Sequence, residues 1–231
     1  MKRIGILGGM SAESTAHYYH YITRTYTDRF GDYAYPEILI YSVSFQRFAD
    51  WSDAEAWDKI GTELAWSARV LEDAGADFVM LACNTMHIVQ DQIEAQIGIP
   101  MLSMMTAVAD TIEAAGLRKV GLLGTRFTME SRLYPDVLEP RGIETLTPDR
   151  QDRATINRVI YEELTKGQVQ PESRAAYIAI IDKLAGQGAQ GIILGCTEIP
   201  MLIAQNDAAL PLFDTTRIHA EAALNFALED S

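Results

Sequence analysis

The sequence predicts an α/β protein of two pseudo-symmetric lobes, each a parallel four-stranded sheet flanked by helices, produced by internal duplication. Short apolar runs alternate with helix-length segments along the chain, the pattern of a parallel sheet covered on both faces. Passages of the first half recur in the second, in the same order and at nearly constant distance. The two cysteines of the 231 residues also occur once per copy, in LACNTMH (81–87) and LGCTEIP (194–200), each after an apolar run.

In chain order, the first strands are expected at Ile4 to Leu7, Glu37 to Val43, Phe78 to Ala82 and Met101 to Leu102. Helices from Ala12 to about Arg29 and from Asp53 to Ala74 fit between the first three. The second set of strands is expected at Val120 to Leu123, Glu144 to Leu146, Ile192 to Leu194 and Leu212 to Phe213. Its helices are expected at Arg126 to Leu138, Asp152 to Lys166 and Pro171 to Gln187, with Gly188 as a stop. No Gly/Ser-rich or Pro-rich linker divides the halves, which suits two intimately packed lobes. The first is expected over 1–103, rejoined by a terminal helix at about 214–231, and the second over 104–213.

The repeat is visible as paired landmarks. IGILGGMSAES beside VGLLGTRFTMES sets Gly5 on Gly121 and Gly8 on Gly124, an offset of 116 (121 − 5). LEDAGADFVMLACNT beside LAGQGAQGIILGCTE sets Gly75 on Gly188 and Cys83 on Cys196, an offset of 113 (196 − 83). Pro100 falls on Pro211, an offset of 111 (211 − 100). In open parallel sheets, ligands collect at the carboxyl ends of strands, where turn amides and helix N-termini point. Each copy puts a glycine turn and a cysteine turn at such an end, so lobes facing each other across a pseudo-two-fold axis would gather both cysteines around one cleft.

Composition narrows the function. A net charge of −13 opposes binding to nucleic acid or to an anionic membrane surface. No run approaches the eighteen or so apolar residues of a membrane helix. The opening MKRIGILGG reads as a first buried strand, because its short apolar stretch ends in Gly8-Gly9 with Ser11, Glu13 and Ser14 close behind. A cytoplasmic protein with reduced thiols is expected.

A single cysteine at a strand end is as well explained by packing as by chemistry. Two repeat-matched cysteines, each followed by polar residues, point toward chemistry. Neither passage offers a second cysteine at metal-ligand spacing or a CxxC pair. What remains is a matched pair of thiols for one small ligand, each favoured as thiolate by the N-terminus of a following helix. One thiolate removing a proton from a carbon and one thiol returning a proton to the opposite face would invert that carbon.

GGMSAEST (8–15), ACNTMH (82–87) and GCTEIP (195–200) resemble the aspartate/glutamate racemase family, close to its broad-specificity amino-acid racemase branch. The resemblance spans essentially the whole chain. It implies a two-base racemase with no cofactor, pyridoxal phosphate included, usually dimeric, acting on a small amino acid. It implies that Cys83 and Cys196 are the two acid/base residues. It further implies that Asn84, Thr85 and Thr197 hold the substrate's amino and α-carboxylate groups, with Met10, Ser11 and Thr125 completing the walls. Helix N-capping is the ordinary alternative for Thr85, Thr125 and Thr197.

The Leu7-Gly8-Gly9-Met10 turn is similar to the aspartate branch, whose members grip the side-chain carboxylate with an Arg and a Lys. Arg47 matches the first position, and its planar fork suits a carboxylate. Counting from Tyr161, the second position lands on Thr165 with Lys166 one residue later. A one-residue step turns a helical side chain by about 100°, unless the helix has already ended. A solvated helix-terminal cation is the alternative for Lys166. Aspartate is therefore the leading substrate, with glutamate or a broader amino-acid set second. His87, four residues after Cys83, could tune that thiol or serve in packing; Glu198 could orient Cys196 or cap a surface turn. A maleate-isomerase-like or decarboxylase-like enzyme and a non-catalytic two-lobed binder remain as rivals.

Overall fold

A computed structural model describes residues 1–229. The chain divides into two compact units, one comprising Met1–Met104 with the segment from Thr216 onward, the other Met105–Thr215. Positions 230 and 231, included in the expected terminal helix, lie outside the described residues.

The first unit runs β1 (Ile4–Gly8), α1 (Ala12–Phe30), β2 (Ile38–Ser42), α2 (Phe45–Asp53), α3 (Trp57–Asp73), β3 (Phe78–Leu81), a 3₁₀ turn (Thr85–Val89), α4 (Gln90–Glu94) and β4 (Met101–Leu102). Its sheet is parallel, in the order β2-β1-β3-β4. Alternate side chains leave a strand on opposite faces, and both faces of this sheet are covered. Leu7, Val79 and Leu81 join a cluster with Ile60, Leu64, Ala68 and Leu71 of α3. On the other face Phe78 meets Phe226 edge-on at 4.9 Å. The continuous apolar reading of β1 and β3 follows from that double cover.

The second unit runs α5 (Met104–Ala114), β5 (Lys119–Gly124), α6 (Arg126–Glu130), α7 (Pro135–Leu138), β6 (Glu144–Leu146), α8 (Arg150–Glu162), α9 (Pro171–Gly186), β7 (Ile192–Gly195), α10 (Ile199–Leu202) and β8 (Leu212–Asp214). The last helix, α11 (Thr215–Leu228), carries Phe226 back to the first sheet. The second sheet is also parallel, in the order β6-β5-β7-β8. The same order in both units is the repeat seen in the sequence.

Three expected helices differ in extent. The one placed over Asp53 to Ala74 begins only at Trp57, because the chain turns through Glu55 in a left-handed conformation (φ 52°) and separates α2 from α3. The one placed over Arg126 to Leu138 breaks after Glu130, and Pro135 starts a new turn, since a proline ring inside a helix clashes with the carbonyl four residues earlier. The one placed over Asp152 to Lys166 starts at Arg150. The Asp149 carboxylate accepts the Gln151 and Asp152 amides at 2.9 and 3.0 Å. It stops at Glu162, followed by a 3₁₀ turn over Leu164–Lys166.

Candidate active site

In each sheet the strand order reverses direction between its first and third strands, and the carboxyl ends on either side of that switch point form the ordinary ligand crevice of an open parallel sheet. In the first unit Leu7 lies beside Leu81, so the Gly8-Gly9 turn faces the start of the Cys83 turn. In the second Gly124 lies beside Gly195, so Thr125 and Cys196 emerge together. Each cysteine therefore stands at the switch point of its own unit, and both are thiols outside any disulfide.

The glycine turn of the first unit is built by close approach. Gly9 has φ 91°, and a Cβ there would lie 2.3 Å from the Val43 carbonyl oxygen. Its amide donates to Thr15 Oγ1 at 2.8 Å, and that hydroxyl donates to the Ser11 carbonyl at 2.9 Å. Ser11 caps α1 by accepting the Ser14 amide at 3.3 Å, and Met10 is buried in the core beside it. Thr15 gives the turn its internal brace; spacing from Ser11 was its only sequence signal. In the second unit Thr125 caps α6, accepting the Thr128 amide at 3.3 Å. The capping alternative thus holds for Thr125, whereas the Thr197 hydroxyl donates to the Glu198 carboxylate.

Asn84 and Thr85 are buried directly after Cys83. They open a 3₁₀ turn, and Cys196 precedes the four-residue α10. The expectation of a helix dipole at each thiol is accordingly reduced, because so short a stack of peptides sums to little.

His87 does not address the Cys83 thiol. Its Nδ1–H donates to the Cys83 carbonyl at 2.8 Å, and its Nε2 accepts the Met104 amide at 3.3 Å. The amide can only donate, so the ring is the Nδ1–H tautomer and neutral. Burial pushes its pKa down to about 4, against the opposing pull of the backbone carbonyl bonds. His219, edge-on to His87 with centroids 6.0 Å apart, donates from Nε2 to the Leu102 carbonyl at 2.9 Å. It accepts the Tyr18 hydroxyl at Nδ1 at 3.1 Å. Burial, then the neighbouring His87, lowers its pKa to about 3. His87 thus ties the Cys83 backbone to the start of α5, and His219, packed edge-on against it, ties α11 to β4 and α1, roles that spacing alone could not reveal.

Around Cys196 the side chains are chemically explicit. The thiol donates to Glu198 Oε2 at 3.0 Å, and Thr197 Oγ1 donates to the same oxygen at 2.9 Å. Cys196 is 7% exposed and Glu198 5%, so Glu198 is not a surface cap, and its side chain makes no capping bond to α10. The Tyr177 phenol is pushed well up by burial first and by charge at Cys196 next, and it donates to the Ile156 carbonyl at 3.1 Å.

The two expected side-chain cations differ. Arg47, on α2, is half-exposed, forms an ion pair with Glu63 of α3, and lies over the Trp51 ring at 5.2 Å. Lys166 is exposed in the 3₁₀ turn that Gly167 ends at φ 69°. The α-helix has stopped before it, so the 100° argument no longer applies. Thr165, the alternative position, spends its hydroxyl on the Tyr161 carbonyl at 3.0 Å. A separate hollow of about 750 Å³ beside α3, lined by Gly61, Trp66, Arg69, Asp73 and Gln92 among others, contains none of the strand-end residues. Among the described residues no group of three His, Cys, Asp or Glu could hold a metal ion, and no helix is long and apolar enough to cross a membrane.

Two parallel switch-point sheets, each offering one thiol, define a protein of the pseudo-symmetric racemase fold. A model of the Asp/Glu/hydantoin racemase family matches residues 7–223, and the chain belongs to that family. It is 27% identical to the broad-specificity amino-acid racemase RacX of Bacillus subtilis over 96% of each chain. A crystal structure of a candidate Asp/Glu racemase from Yersinia pestis superposes with a TM-score of 0.92 at 45% identity, covering 99% of this chain and 100% of that one. An aspartate racemase homologue from Pyrococcus horikoshii OT3 gives 0.86 at 37% identity, with 99% and 100% covered. The chain is an isomerase of the racemase class.

Proposed function

We propose that the protein is a cofactor-independent amino-acid racemase, acting first on aspartate, with Cys83 and Cys196 as a two-base pair at Cα. The observation that supports it most is Cys196 itself, a thiol held by Glu198 at a switch point and repeat-matched to Cys83. In each turnover one thiolate takes the Cα proton, breaking C–H and forming S–H. The released electron pair spreads onto the α-carboxylate, where hydroxyl, amide and backbone N–H donors stabilise it. The opposite thiol then gives its proton to the other face, so the carbon inverts and the two cysteines exchange protonation states.

Asn84, Thr85 and Thr197 serve the amino and α-carboxylate groups in this reading, and Met10, Ser11 and Thr125 wall the site. Arg47 and Lys166 receive the second carboxylate. A broader substrate set is favoured by one observation: Arg47 already has a carboxylate partner in Glu63. RacX, similar over nearly its whole length, is named for broad specificity. We also propose a cytoplasmic homodimer, on the family resemblance; sedimentation would give the stoichiometry.

Incubation with L-aspartate in heavy water should place solvent deuterium at Cα and yield D-aspartate. Activity should survive hydroxylamine treatment and dialysis, which strip pyridoxal phosphate. A panel of glutamate and apolar amino acids separates the narrow from the broad reading, and absence of exchange on every amino acid would sink the racemase assignment in favour of another carbon acid or simple binding.

A further inference from the structure

We propose that the acid/base group of the second unit is the Cys196–Glu198 pair acting together, and that this pair retains at least one proton throughout the reaction. The catalytic use of the pair rests on the racemase reading; the sharing of its proton rests on geometry alone.

The Sγ and Oε2 atoms lie 3.0 Å apart, in residues 93% or more buried from solvent by their 7% and 5% exposures. Removing every proton from the pair would set two negative charges at that separation with little water to screen them, the arrangement that forces paired buried carboxylates to share a proton. The accessible forms are therefore a one-proton form, S–H···⁻O or S⁻···H–O, and a two-proton form. Glu198 Oε2 already accepts from both Cys196 and Thr197, and among the described residues Oε1 is buried with no hydrogen-bond partner. Oε1 is thus the oxygen open to a second proton while Cys196 is a thiol, neutralising the group and leaving both bonds to Oε2; in the thiolate form the carboxyl proton lies on Oε2, facing Sγ.

The chemistry follows with protons conserved. When the pair acts as base, Cys196 is thiolate beside a protonated Glu198. C–H breaks, S–H forms, the electron pair stays with the substrate carbon, and the carboxyl keeps its proton. In the acid direction S–H breaks and C–H forms, and the resulting thiolate again faces a neutral carboxyl. At no stage are both groups charged. Position 85, the repeat equivalent of 198, is threonine, whose hydroxyl does not ionise in this range. The Glu198 carboxylate thus has no ionisable counterpart at the matching position of the first copy.

On neighbouring elements, Tyr177 of α9 faces this charge and is held neutral. Behind it Glu163 is closed by Arg158 at 2.8 Å and by the Ser173 hydroxyl at 2.6 Å. Removing the Glu198 charge is consequently the change that should release the Cys196 proton.

The test is the pH dependence of iodoacetamide alkylation at each cysteine, read by peptide mass spectrometry in wild type, Glu198→Gln and Glu198→Asp. Wild-type Cys196 should titrate above the ordinary thiol value of about 8.5. Glu198→Gln keeps the shape and an accepting oxygen, and should alkylate Cys196 roughly tenfold faster at pH 8, a midpoint about one unit lower. The Cys83 profile should stay put, and Glu198→Asp should restore the high midpoint. Should Glu198→Gln not fold, Glu198→Ala takes its place. An unchanged Cys196 midpoint in either folded neutral variant, or a wild-type midpoint at or below about 8.5, overturns the proposal. Alkylation reads the pair whether or not the protein racemises anything, whereas deuterium exchange reads the racemase alone.

Discussion

Replacing a thiol by a hydroxyl leaves the shape of the site nearly intact and removes the group that can ionise near neutral pH. Cys83→Ser and Cys196→Ser should each lower Cα deuterium exchange at least about 10²-fold, the lower range of general acid–base effects; near-normal exchange in either variant would contradict two bases. Arg47→Met should raise KM for aspartate more than for alanine. An equal change for both amino acids would remove Arg47 from side-chain recognition and leave it to its Glu63 partner. The strand-end setting of both cysteines was legible in the sequence, because local context carries it, while capping is only the alternative reading there for Thr125. The burial of Glu198, the Glu63 partner of Arg47 and the turn of His87 toward a carbonyl were not legible. Each is decided by a neighbour, near or distant, whose approach only the packed fold determines.

At the scale of elements, α1 begins and ends beside glycines with left-handed backbone, but for different reasons. Gly31, its C-cap, has φ 74° and open space around a built Cβ, whereas Gly9 has φ 91° and the Val43 backbone within 2.4 Å. Gly31→Ala should cost about 1 kcal/mol, the ordinary penalty of a left-handed L-residue. Gly9→Ala should cost more, about 3 kcal/mol, because strain and overlap combine. Urea denaturation compares them directly; equal costs would show that the strand-end turn yields freely. Strand positions and most helix positions were readable from apolar periodicity; the order of the strands within each sheet was not, since it is set by pairing between distant segments. The misplaced boundaries fall where single residues overrule the pattern, at Glu55 and Pro135, and where Asp149 starts a helix early.

For the whole molecule, the buried neutral histidines set a pH dependence. His87 and His219 hold folded values of about 4 and about 3, below an unfolded value near 6.5. The unfolded chain therefore binds protons first as pH falls, so the stability they allow is complete above about pH 6.5 and is lost on acidification toward pH 4. Each contributes on the order of 3 kcal/mol across that window. His219→Gln keeps a neutral donor and acceptor, and should flatten the decline between pH 6.5 and 4 even if it lowers stability at pH 7. An unchanged slope in urea titrations would assign the acid sensitivity elsewhere.

The return of the last helix to the first sheet also has a bearing on biosynthesis. The second unit is one uninterrupted stretch, Met105–Thr215, while the first needs both its opening segment and the residues from Thr216 onward. Domains fold as units while the chain emerges. On the ribosome, then, the unit translated second is complete first, and the Cys83 sheet waits without the Phe226 contact to Phe78 until α11 arrives. Moving the α11 sequence ahead of β1 would return the order of completion to the order of translation.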